Sequence, residues 1–157
     1  MNKIAPCLWF DNEAEEAVRF YTSIFKNSSI GTITRYGEAG PRPAGSVMSI
    51  TFQLDGQDFI ALNGGPQFKF NEAISFSVDC KDQAEVDYYW EKLSGGGEIQ
   101  MCGWLKDKFG VSWQIVPTEL NDLIRDPDPV RAARVTQALF QMQKIDINRL
   151  KQVYAAE

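Results

Sequence analysis

A pattern that runs twice along the chain constrains its fold more than any other feature. The segment LWFDNEAEEAVRFYTSIFKNSSI (8–30) lies without a gap on SVDCKDQAEVDYYWEKLSGGGEI (77–99). Glu16 then falls on Glu85, the aromatic pair Phe20-Tyr21 on Tyr89-Trp90, and Ile24 on Leu93. Each copy opens with a strand-like run, the apolar residues 4–10 in the first and 73–79, where serine alternates with large apolar side chains, in the second. A helix-starting pair follows in each, Asn12 with Glu15 and Asp82 with Glu85. In such a pair the first side chain accepts from the opening N–H groups and the second reaches back. Ala14, Ala17, Val18, Tyr21 and Ile24 then recur at helical spacing, as do Val86, Tyr89, Trp90 and Leu93. Further strands are expected at 30–36, 46–54 and 58–63, the last two joined by the tight turn Asp55-Gly56. In the second copy Gly95–Gly97 stops the helix, and strands fit 98–105 and 111–116. Shared caps, helical phase and strand order read as a repeated β-α-β-β-β unit, with module one over 1–66 and module two over 67–117.

Residues 118–157 do not continue the pattern. Asp126-Pro127-Asp128-Pro129 puts an aspartate cap before a proline at the first helical position. Ala132, Val135, Leu139 and Met142 line one helical face, and Asp146 caps a last short helix carrying Ile147, Leu150 and Tyr154. A C-terminal helical extension is expected, packed on the outside of a sheet or on a second subunit.

Composition narrows the functional classes. The net charge of −5 speaks against nucleic acid as a partner, because such binding rests on lysine and arginine neutralising phosphates. No segment approaches the ~20 apolar residues that span a bilayer. Acidic residues follow the N-terminus too soon for a signal peptide, and three cysteines without regular spacing suit a reducing compartment. A cytoplasmic protein is expected.

The chain has no histidine, so Ser-His-Asp and Cys-His nucleophilic arrangements are impossible. Cys80, just before a helix start, is the cysteine best placed for a lowered thiol pKa, but a small apolar role is the favoured reading for it. The acids Asp11, Glu13, Glu15, Glu16, Asp79, Asp82 and Glu85 gather at helix starts, where the helix dipole explains them. Binding of S-adenosylmethionine in the Rossmann manner needs a glycine-rich turn between strand and helix. Here Gly64-Gly65 runs into PQFKFN, and Gly95–Gly97 follows a helix.

The stretches PCLWFDNEAEEAVRFYTSIF (6–25), ISFSVDCKDQAEVDYYWEKLSGGG (74–97), CGWLKDKFGVSWQIVP (102–117) and RVTQALFQMQKIDINRL (134–150) resemble the vicinal oxygen chelate superfamily. That superfamily holds glyoxalase I, extradiol dioxygenases and bleomycin-resistance proteins. The likeness is strongest to its PhnB-like branch, described as 3-demethylubiquinone-9 3-methyltransferase domains, and it covers nearly the whole chain. It implies an α+β fold of two βαβββ modules forming curved mixed sheets, a cleft, and commonly a homodimer. It also implies ligand positions for members that hold a metal: the first strand and the last strand of each module. In this chain those positions fall on Ile4 or Pro6, near Ala61 with Asn63 two residues on, on Ala73, and on Gln114. Only Gln114 and Asn63 carry a donor, both neutral amides, so neither a metal nor another cofactor is expected.

Gln114, a strand-borne amide in apolar surroundings, is instead expected to orient a polar ligand. Trp104 and Trp113 could stack on a planar one. Asn63 adds a second amide, and Arg35, opening the loop 37–45, could pair with an anion. The expectation is therefore a small-molecule-binding protein of the glyoxalase-like fold. The alternatives are an enzyme of that superfamily acting on a small oxygenated or aromatic substrate, and an assembly protein.

Overall fold

The computed structural model describes residues 2–156. The chain divides into two compact units, Met1–Phe70 and Asn71–Glu157. In the first, β1 (Cys7–Phe10) leads to α1 (Ala14–Ile24), and β2 (Ser29–Arg35), β3 (Val47–Leu54) and β4 (Gln57–Asn63) follow. The strands form one sheet in the order β1-β4-β3-β2, with β1 parallel to β4 and the other pairs antiparallel. Strand alternation sends Leu8, Phe10, Ile50, Phe52, Phe59 and Ala61 to one side, where they are buried with Ala14, Ala17, Val18, Tyr21 and Ile24 of α1. Tyr21 stacks on Phe52 and Phe52 on Phe59. Fully burying each large side chain contributes about 1.5–3 kcal/mol, which is what fixes the helix to this face. Asp55 and Gly56 both have positive φ, 49° and 80°, as a two-residue hairpin turn demands.

Two local expectations are corrected here. The first strand begins at Cys7, not at residue 4, and Ile4 lies outside it, 84% exposed. Asn12 and Glu15 form no capping box. The N-cap is Glu13, whose side chain bonds no amide of the helix, and the N–H of Ala14 is taken by Asn63 Oδ1 at 2.9 Å, from the far end of β4.

The second unit repeats the topology. It contains β5 (Ser75–Cys80), α2 (Gln83–Ser94), β6 (Glu98–Ile99), β7 (Trp104–Lys106) and β8 (Ser112–Pro117). Its sheet has the order β5-β8-β7-β6, again with its first and last strands parallel. The Asp82 cap forms as expected, accepting from Glu85 N–H, while Glu85 Oε1 takes the N–H of Lys81. The single strand expected over 98–105 is interrupted. Cys102 and Gly103 adopt positive φ, 62° and 82°, and the chain breaks into β6 and β7. A residue with a Cβ costs about 1–2 kcal/mol in the left-handed region. Cys102→Gly is therefore expected to raise stability by about 0.5–1 kcal/mol, seen as a Tm gain of about 1–4 °C. A lower Tm would mean that the packing of the Cys102 side chain outweighs the strain.

The repeat is real in topology but slips by one residue. Phe10 and Cys80, the last residues of β1 and β5, are both buried. Three residues separate Phe10 from the first residue of α1, and two separate Cys80 from that of α2. The ungapped alignment therefore holds for the helices, where Tyr21 meets Trp90, but misphases the strands. It sets Leu8, buried on the helix side of its sheet, on Ser77, which points away from α2; Cys7 is the true counterpart of Ser77.

The tail forms three helices, α3 (Thr118–Ile124), α4 (Pro129–Leu139) and α5 (Ile147–Ala155), the first of which sequence reasoning did not separate. Asp128 caps α4 with Pro129 behind it, and Asp146 caps α5, both as expected. Leu120, Val135, Ile145 and Leu150 make a small core that takes in Val116 from the end of β8. Backbone bonds from Cys102 and Gly103 N–H to the carbonyls of Met142 and Gln143, with the Gln83 amide on Ile145 and Ile147, lock the tail to the second unit. No helix among the described residues is long and apolar enough to cross a membrane.

Candidate functional site

In the second sheet alternation separates two faces. Leu105, Trp113 and Ile115 point to the side of α2 and are buried with its Val86 and Leu93. The opposite face carries two rows of side chains. Ser77, Gln114 and Trp104 are Cα partners across β5, β8 and β7. Ser75, Ser112, Lys106 and Glu98 form the next row, which reaches β6. Gln114 and Trp104 are half-buried. Gln114 Nε2 donates to Ser75 Oγ at 2.9 Å, and among the described residues nothing donates to its Oε1. Partners in register hold their side chains within ~5 Å, so an indole and a carboxamide with an open acceptor lie side by side. Lys106 Nζ stands 2.7 Å from Glu72 Oε1. The hydrogen bond and charge of Lys106 hold the Glu72 carboxyl below its usual range, and Glu72 in turn raises the lysine.

Trp113 does not join this group. It follows the opposite alternation, is 3% exposed, and contacts Phe76. Its indole N–H donates to Asp107 Oδ2 at 2.9 Å. Asp107 is itself buried, and its Oδ1 accepts from the N–H groups of Phe109 and Val111. The segment KDKF (106–109) ahead of Gly110 thus contains a structural hub: one carboxylate closes the β7–β8 turn and anchors a core tryptophan. Sequence reasoning gave Asp107 no role. The only signal was an acid two residues short of an aromatic and three short of a glycine, which many solvated turns share.

The remaining candidates lie in the first unit. Asn63 is 6% exposed on the α1 side of its sheet, with both ends of its amide engaged. Oδ1 accepts from Ala14 N–H, Nδ2 donates to the Val47 carbonyl at 3.1 Å, and its own carbonyl accepts from Tyr36 O–H at 2.5 Å. The expectation that Asn63 serves a ligand meets a side chain that braces α1 and β3. Arg35 is exposed at the end of β2 and donates to the Gly45 carbonyl at 3.1 Å, across the base of the loop 37–45. Cys80 is fully buried, and desolvation with the nearby Glu85, Asp79 and Asp82 pushes its thiol up to about 12, which suits an apolar core role and not a nucleophile.

A divalent ion of the superfamily's kind needs several charged or imidazole donors converging on one point. Around Gln114 the donors are the hydroxyls of Ser75, Ser77 and Ser112, with the Lys106 ammonium beside them and the carboxylates of Glu72 and Glu98 against that ammonium. The first-sheet counterparts of Ser77 and Gln114 are Cys7 and Ile60, Cα partners in β1 and β4. Ala61 is fully buried on the helix side, and Ile4 and Ala73 lie outside strands. Among the described residues no three His, Cys, Asp or Glu side chains gather. These residues do not fit such an ion.

Residues 2–116 match the family model of 3-demethylubiquinone-9 3-methyltransferase. The chain belongs to that family. A Bacillus cereus PhnB protein, described as a 3-demethylubiquinone-9 3-methyltransferase, is 40% identical, with a TM-score of 0.69 over 74% of this chain and 100% of its own. A Pseudomonas aeruginosa protein shares the fold at 22% identity, with a TM-score of 0.61 over 74% of this chain and 98% of the other. So does a fosfomycin resistance protein of Listeria monocytogenes, 16% identical, with a TM-score of 0.56 over 80% of this chain and 98% of the other. No curated protein matches. Family and fold together establish a PhnB-like, glyoxalase-fold protein, and the family match stops just short of α3.

Proposed function

We propose that the protein binds a small planar molecule bearing oxygen acceptors or donors on the face of the second sheet that carries Trp104 and Gln114. The observation that carries this reading is their pairing across β7 and β8, with the Gln114 Oε1 open and the indole half-buried beside it. A flat π-surface next to a fixed hydrogen-bonding group supplies both affinity and orientation. The binding needs no metal of the superfamily's kind. The protein is taken as a cytoplasmic homodimer, on the family likeness and on three unpaired cysteines. The anchoring role stays with Trp104 and Gln114. Trp113 backs that strand, while Arg35 and Asn63 would contribute only as rim and brace of the first unit.

The test is a screen of planar oxygenated compounds by saturation-transfer NMR, followed by titration. Trp104→Ala is expected to weaken a hit about tenfold, from the loss of roughly 1–1.5 kcal/mol of ring contact. Gln114→Ala should weaken it about fivefold, near one hydrogen bond. Affinities unmoved by both substitutions would remove this face from the site.

A second reading, an enzyme acting on such a molecule, is favoured by the methyl transfer in the family's description. Against methyl transfer stand the glycines: Gly64 and Gly65 follow β4 with no helix after them, and Gly95–Gly97 follows α2. Saturating S-adenosylmethionine would stabilise a protein that binds it by ~2.7 kcal/mol at 100 times the dissociation constant, and no Tm shift is expected here.

A further inference from the structure

Beside the Trp104–Gln114 pair, the second row of the same face holds two features that the reading above leaves unused. Ser112 is 1% exposed, and its Oγ finds no hydrogen-bond partner among the described residues. A buried hydroxyl without a partner is uncommon and calls for an explanation. Ser112 is the Cα partner of Lys106 on one side and of Ser75 on the other. Lys106 is the only cation in either row, and the group that meets it comes from the turn before β5: Glu72, whose side chain is 50% exposed against 26% for the lysine. A carboxylate from a surface turn thus sits on an ammonium that points off a binding face.

We propose that Lys106 and Ser112 form an anion subsite, that the ligand is a planar molecule carrying a carboxylate or phosphonate, and that Glu72 is an internal occupant which the ligand displaces. The inference rests on the proposed Trp104–Gln114 site and names the charge of its ligand. A neutral carbonyl arriving in place of Glu72 would take from the ammonium its hydrogen-bonded counter-charge and leave it beside Glu98, its exposed Cα partner in β6. An oxyanion replaces the Glu72 carboxylate in kind and also offers an acceptor to the Ser112 hydroxyl. Exchange is cheap because a half-exposed ion pair contributes little net stability. The planar body then extends along the strand, since Trp104 lies two residues from Lys106 on the same face of β7.

The experiment titrates the full chain with benzoate, phenylphosphonate and benzamide by NMR at low ionic strength. One or both anions are expected to bind at least about fivefold more tightly than neutral benzamide, and the tighter of the two identifies the head group. Lys106→Met should erase that preference while leaving benzamide unchanged, and Ser112→Ala should weaken the anions alone. Glu72→Gln should tighten the anions about three- to tenfold. Glu91→Gln, an equal change of net charge on exposed α2, should not. Benzamide binding as tightly as the anions, or a Glu72→Gln variant no better than wild type, overturns the anion subsite and leaves the Trp104–Gln114 site standing. If no probe perturbs Trp104 or Gln114, both readings fall.

Discussion

Replacing Asp107 by alanine is expected to cost about 3 kcal/mol or more, a large share of the roughly 5–15 kcal/mol that holds a domain folded. The substitution leaves the N–H of Val111 and the indole N–H of Trp113 without their acceptor in buried positions, and the N–H of Phe109 without its own. Each buried donor so stranded costs about 1–3 kcal/mol. The loss should appear as a Tm lower by about 6–12 °C. Asp107→Asn keeps an oxygen for the two backbone donors but not a second for the indole, so an intermediate loss is expected. In a Trp113→Phe background, Asp107→Ala should cost less than it does in the wild type, because one of the donors is already gone. A variant within about 1 kcal/mol of wild type would show that water reaches this turn and satisfies the donors.

The second large effect is expected at Asn63. Alanine there removes the acceptor of Ala14 N–H, the first helical amide of α1, and the donor to the Val47 carbonyl. Loss of a helix cap alone costs about 0.5–2 kcal/mol. The unmet carbonyl and the small cavity bring the total to about 2–4 kcal/mol. Because the Glu13 side chain accepts from Asn12 N–H and not from an amide of the helix, it does not replace the cap. Hydrogen exchange should locate the damage in the first turn of α1. Asn63→Asp should recover part of the loss, since it retains the acceptor and places negative charge at a helix N-terminus. Exchange in the first turn of α1 unchanged by Asn63→Ala would exclude the bracing role.

What could be read from the residues was whatever depends on short-range periodicity. The helix stripes, the Asp55-Gly56 hairpin, the Asp82, Asp128 and Asp146 caps and the doubled strand order all lie within a few residues of their cause. Gln114 stood out for the same reason, an amide in an apolar strand, and register then placed it beside Trp104. What escaped depends on distant partners or on single-residue phase. Asn63 caps a helix that begins 49 positions earlier in the chain, whereas local spacing points to Asn12. Trp113 and Gln114 are neighbours in sequence, yet a strand sends neighbours to opposite faces. The role of each therefore follows only once the buried side is known. The break at Cys102-Gly103 was hidden because only one of the two residues is a glycine.

The family match stops at residue 116, yet the amides of Cys102 and Gly103 bond to carbonyls at Met142 and Gln143. A Cβ on Gly103 would meet the Ile145 side chain at 2.8 Å, so the two segments have become mutually fitted. Cropping the protein to the matched residues would orphan two main-chain donors and uncover Val116. The family match and the contacts that complete the second unit end at different residues in this chain, and an expression boundary should follow the second.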